Sequence, residues 1–160
     1  MNPTLFRSLI FKLCISALCG AVVNISFATF ANAQELSPVG KWKTIDDNNG
    51  KVKSIVEIRE SGGKLYGNII RLFPEPGEDL NPKCDKCEGG RKNQPVLGMN
   101  IMWGLTKDGS EWSGGVILDP ENGKTYKCYV EPIEGGKKLK LRGYIGFSLL
   151  GRTQYWLRAD

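Results

Sequence analysis

Turn residues recur along this chain at short, even intervals, and that rhythm restricts the fold more than any other feature. Asn49-Gly50, Gly62-Gly63, Asp108-Gly109, Asn122-Gly123 and Gly135-Gly136 each separate two runs rich in apolar and β-branched residues. The segment 99–130 is the plainest case. Asp108-Gly109 reads as a type I′ hairpin turn, whose two central positions need the positive φ that Asp tolerates and Gly adopts freely. In 119–123, Pro120 presets φ for a type I turn and Gly123 supplies the left-handed residue that closes it. Three consecutive antiparallel strands follow from these two turns.

Extending the same rhythm predicts eight strands, at 39–46, 52–60, 64–73, 96–106, 111–118, 124–131, 138–144 and 152–158. Nearly every link is a hairpin, so the chain runs up and down without crossovers, and eight such strands can close into a barrel with no exposed edge. An open two-sheet sandwich is the alternative. Alternation supports half-buried strands: Leu97, Met99, Ile101, Trp103 and Leu105 share one face, Tyr126, Cys128 and Val130 another, Leu139 and Leu141 a third. Two links are not hairpins. Residues 74–95 carry four of the eight prolines and two cysteines with no apolar periodicity, a length that usually marks a functional or mobile loop. Residues 145–151 are too apolar for a solvent loop and are expected to form a short helical turn that plugs one barrel end.

The first 33 residues read as an export leader. Arg7 and Lys12 give the basic flank, 13–30 is apolar but interrupted by Asn24, Ser26 and Thr29, and Ala31-Asn32-Ala33 is a small-x-small cleavage site. A single β-barrel domain is expected over 34–160, periplasmic or secreted. The apolar run is short and interrupted for a membrane span, and Leu18 before Cys19 does not fit lipid attachment. Losing Arg7 and Lys12 lowers the net charge from +5 to +3, too little to predict a nucleic-acid partner. Lys138, Lys140 and Arg142 alternate along one strand, as a solvated outer face or as a site of contact with the anionic envelope surface.

The chemistry is bounded by an absence in the sequence: the chain has no histidine, which removes Ser-His-Asp and Cys-His nucleophile pairs and His-based zinc sites. The run 146–151 has the wrong spacing for a nucleophile elbow, and 46–50 has the wrong phase for a calcium loop. Glu75 with Glu78 and Glu131 with Glu134 lie in or beside loops and read as solvated charge. No catalytic residues, metal or cofactor are expected, and the chain reads as a non-enzyme. The disulfide candidates are Cys84, Cys87 and Cys128, an odd number in an oxidising compartment. Cys84 and Cys87 can bond to each other, or either can reach Cys128. Their Cys-x-x-Cys spacing also admits thiol exchange, although no helix N-terminus is at hand to activate it.

The stretches GKWKTIDDNNGKVKSIVEI, CDKC, EWSGGVILDPENGKTYKC and RGYIGFSLLGRTQYW together resemble an exported bacterial family catalogued as domain of unknown function 2147. The resemblance covers nearly all of 34–160 and implies a small lipocalin-like barrel, without an activity to transfer. Gly40-Lys41-Trp42 also resembles the Gly-x-Trp of lipocalins, whose Trp packs beneath an Arg from the chain end; here Arg152 or Arg158 is the barrel-closing partner of Trp42.

Two functions fit such a chain: a binding barrel for a small apolar or amphipathic molecule, or an envelope module filled by its own side chains. A thiol-redox role for Cys84 and Cys87 is third. Filling decides between the first two. If the lighter face of the fourth strand, Gly98, Asn100, Met102 and Gly104, points inward, it forms a ligand cavity under the 74–95 loop; if the Trp103 face does, the interior is packed.

Overall fold

All five hairpins are present, and the strands they join close on themselves. The computed structural model describes residues 36–159; the expected leader and its cleavage site lie outside the described residues. The strands are β1 (Gly40–Ile45), β2 (Val52–Ser61), β3 (Lys64–Leu72), β4 (Asn100–Asp108), β5 (Glu111–Asp119), β6 (Lys124–Ile133), β7 (Lys138–Tyr144) and β8 (Gly151–Arg158). Each pairs antiparallel with its sequence neighbour, and β1 pairs with β8, giving a closed up-and-down barrel and not a sandwich. The closing seam is short: Trp42 faces Arg158, Lys43 faces Leu157, and Ala159 N–H donates to Lys41 O at 2.9 Å. No helix among the described residues is long and apolar enough to cross a membrane.

The period-2 pattern places Ser54, Val56 and Ile58 of β2, Leu65 and Ile69 of β3, Cys128 and Val130 of β6, and Leu139 and Leu141 of β7 inside. At Asn49-Gly50, Asp108-Gly109 and Asn122-Gly123 only the glycine is left-handed. The hairpin expected at Asp108-Gly109 is therefore displaced by one residue. Asp108 stays in β4 opposite Glu111, and the loop is Gly109-Ser110.

Strand β4 departs most from simple alternation. It begins at Asn100 and not at 96, because Gly98 takes φ +85° and Met99 N–H turns back to Val96 O at 3.2 Å. Two irregularities then interrupt its pairing with β3, one around Ile101 and one at Gly104, where φ is +84°. Each bulge reverses the side-chain phase. Ile101, Met102 and Leu105 are consequently all buried, while Leu97 is exposed and Trp103 half-exposed on the outside under Arg91, whose guanidinium lies 4.3 Å from the ring centre. The single five-residue face expected from Leu97 to Leu105 does not exist.

The link 145–151 does contain a helical turn, a 3₁₀ turn at Ser148–Leu150, but it plugs nothing. Ile145, Phe147, Leu149 and Leu150 are all exposed. Gly146 at φ +73° swings the chain outward, so the turn stands at the barrel rim.

Candidate functional site

One end of the barrel is full. Trp42, Ile58, Leu65, Leu105, Val130 and Leu139 are completely buried near the hairpins at 62–63, 109–110 and 134–137. Trp42 Nε1–H donates to Pro38 O at 2.7 Å, and the Arg158 guanidinium carbon lies 4.0 Å from the Trp42 ring centre. Arg158 also donates to Gly136 O (2.8 Å), Val39 O (2.9 Å) and Ser37 O (3.1 Å). Gly40 belongs to the same device, since a Cβ there would press on Arg158 Nη1. Of the two arginines expected to cover Trp42, Arg158 takes the position; Arg152 lies at the other end of β8, paired with Asp47.

The opposite end is hollow. A cavity of about 860 Å³ opens between the loops 46–51, 73–99, 120–123 and 145–150. Ile69, Leu72, Ile101, Ile117, Leu141 and Trp156 form its apolar wall. Thr44, Ser54, Tyr126 and Tyr144 bring hydroxyls to the lining; those of Thr44 and Ser54 hydrogen-bond to each other at 2.7 Å, and that of Tyr126 accepts from Asn122 Nδ2 at 3.0 Å. The mouth is charged, with seven Asp or Glu against three Lys or Arg around the whole cavity. Lys53 pairs with Glu121 and lies 3.6 Å from Asp46, and Lys51 pairs with Glu75 at 2.7 Å. The Asn48 backbone N–H, 2.7 Å from Asp46 Oδ1, holds the Asp46 carboxyl below its usual pKa, and Lys53 acts in the same direction.

The four residues expected to form the ligand face do not line this cavity. Gly98 and Gly104 are the left-handed residues of the turn and the bulge. Asn100 Nδ2 is committed to Gly67 O, Asn68 Oδ1 and Met102 O at 3.1 to 3.2 Å, and Met102 is fully buried against Gly67. The wall was signalled by a different pattern. Ile101-Met102 and Ile117-Leu118 are adjacent apolar pairs inside otherwise alternating strands, a mark of a bulge or of a strand covered on both faces.

Cys84 and Cys87 form a disulfide, and Cys128 remains a free thiol. Burial in the barrel wall pushes the Cys128 pKa up to about 12. The Cys84–Cys87 ring sits on the β5–β6 turn, where a Cβ on Gly123 would overlap the Lys86 carbonyl. The rest of the loop is ordered by its own hydrogen bonds: Cys84 N–H to Gln94 O (2.9 Å), Asn93 N–H to Cys84 O (2.8 Å) and Val96 N–H to Pro82 O (2.9 Å). Through Pro74, Glu78, Asp79, Pro82, Lys83 and Asp85 this loop forms one side of the mouth. Among the described residues no group of three or more Cys, Asp or Glu is arranged to hold a metal ion.

The profile of a family described as an uncharacterized protein conserved in bacteria (DUF2147) matches residues 40–158. Among solved structures the chain is similar to protein HP1028 of Helicobacter pylori, described as belonging to the lipocalin family. The identity is 24% and the TM-score 0.66, over 78% of this chain and 84% of that one. At that identity the likeness concerns the fold alone. A search of functionally curated proteins gave no significant match.

Proposed function

Because the chain belongs to the DUF2147 family of bacterial proteins, whose description assigns no activity, its function has to come from its own cavity, and we propose that it binds one small apolar or amphipathic molecule in the open half of the barrel. The observation that carries this is the cavity itself: about 860 Å³, open at one end and walled by aliphatic and aromatic side chains. That volume falls in the range of roughly 300 to 1,000 Å³ typical of small-molecule sites. Each methylene moved from water into such a wall contributes about 0.8 kcal/mol. The excess of carboxylates at the mouth favours a ligand whose polar end is uncharged or cationic, since an anionic end would face like charge.

The role is non-catalytic. The Thr44 and Ser54 hydroxyls satisfy each other, the chain has no histidine to activate either, and Asp46 is occupied in capping its own turn. The protein acts outside the cytoplasm, after removal of residues 1–33. The Ala31-Asn32-Ala33 cleavage site and the Cys84–Cys87 disulfide, a bond kept in oxidising compartments, both support that placement.

The test is titration with a neutral fluorescent probe, N-phenyl-1-naphthylamine, of the parent protein and of Ile101→Trp, which projects an indole from the apolar wall into the space a ligand would occupy. The parent should bind close to one equivalent, and the folded variant should bind about tenfold or more weaker, a loss of about 1.4 kcal/mol or more. Equal affinity in both, or no binding by the parent, would contradict the proposal.

A further inference from the structure

The β7–β8 link keeps apolar surface in water at the edge of the cavity. Residues 144–151 carry no charge, and Ile145, Phe147, Leu149 and Leu150 are 63%, 79%, 88% and 81% exposed. The turn is held in place: Arg142 donates from Nε to Ser148 O (2.7 Å), from Nη2 to Leu149 O (3.1 Å) and from Nη1 to Thr153 Oγ1 (2.8 Å). Ile145 and Leu150 also line the cavity mouth, so apolar surface runs from the interior out onto the turn without a break.

We propose that this turn docks the open end of the barrel onto a lipid bilayer rich in phosphatidylethanolamine, with Phe147 and Leu149 seated among the acyl chains beside the mouth. Charge selects the bilayer over a second copy of the chain. A symmetric dimer through this turn would bring two carboxylate-rich mouths together, because a two-fold contact places each patch against itself. A bilayer needs only a few inserted apolar side chains, in the manner of interfacial anchors. With Asp47 paired to Arg152 and Glu121 to Lys53, the carboxylates of Glu78, Asp79 and Asp85 at the mouth oppose an anionic lipid surface and complement the ammonium groups of ethanolamine headgroups. Docking gives the bound molecule of the preceding section a direct apolar route between bilayer and cavity, and in that sense it rests on the proposed binding role.

The experiment is flotation of the protein, as purified from its host, with vesicles of phosphatidylethanolamine and phosphatidylcholine. A polarity-sensitive dye on Ser148→Cys reports the position of the turn. The protein should float, the dye emission should shift to the blue, and Phe147→Ser with Leu149→Ser should lower the partitioning about tenfold or more, as expected for two apolar side chains left in water. Exchanging the neutral lipids for phosphatidylglycerol should lower it too. Unchanged flotation of the double variant, a dye that stays in water, or stronger binding to phosphatidylglycerol would overturn the proposal. So would a dimer in sedimentation that the double variant abolishes, which would assign the turn to a second copy. Probe titration of the same samples separates the two claims: a variant that binds probe but no longer floats supports docking as a distinct property, and a parent that floats but binds no probe overturns the binding role alone.

Discussion

Arg158 shows how much a single side chain does at the closed end. It covers the Trp42 ring and satisfies three backbone carbonyls from two separate segments. Arg158→Met should therefore lower stability by about 1 to 2 kcal/mol in urea unfolding, from the part-buried Gly136 carbonyl that loses its donor and the Trp42 ring that loses its cation, the Ser37 and Val39 carbonyls being open to water. Arg158→Lys should recover little of it, since an ammonium lacks the planar fork. Gly40-Lys41-Trp42 announced half of this device in the sequence. Its partner could not be chosen between Arg152 and Arg158, because the choice depends on the register of β1 against β8, set by contacts more than a hundred residues apart. A second residue-level expectation concerns Asp46, whose carboxyl is held below its ordinary pKa by the Asn48 N–H. A depressed carboxylate contributes stability above its unfolded pKa of about 3.9 and loses it as pH falls through the lower folded value. The 46–51 turn should thus stay ordered at neutral pH and loosen only in strong acid, as amide exchange or NMR shifts of Asn48 and Gly50 would register. Cys128, with its pKa raised to about 12, should resist a thiol reagent at pH 8 in the folded protein and react once it unfolds.

Among the elements, the long 74–95 loop and β4 separate what local sequence could tell from what it could not. The loop was evident from its prolines and lost periodicity, and its disulfide was among the open pairings. Its seat on Gly123 was invisible, because that glycine reads equally well as a plain turn residue. Gly123→Ala should displace the Cys84–Cys87 ring and raise amide exchange across 82–96, with the barrel strands unaffected. Cys84→Ser should cost about 2 kcal/mol at most, the entropy of a ring this short. In β4 the period-2 pattern failed because two bulges change its phase, and only the adjacent apolar pair Ile101-Met102 hinted at that. The 145–151 turn failed for another reason. Its composition called for burial, whereas Arg142 fixes it at the rim with its apolar side chains outward.

Over the whole molecule, topology was the most legible property. Where a hairpin joins two strands they pair as sequence neighbours, so local turn signals determine five of the eight strand pairings, and closure supplies the other three. Filling was not legible, because it varies along the barrel axis. The Trp42 end is packed solid and the Ile101 end is hollow, so the two alternatives drawn from the sequence, a filled barrel and an empty one, each describe one half. The central claim is that the hollow half holds one small molecule. Native mass spectrometry of protein freshly purified from its host tests it most directly. The expected spectrum shows a retained adduct of one small molecule per chain, displaced by a neutral apolar probe and diminished in Ile101→Trp. A parent spectrum showing only bare protein that also fails to take up added probe, or an adduct retained undiminished by Ile101→Trp, would contradict it.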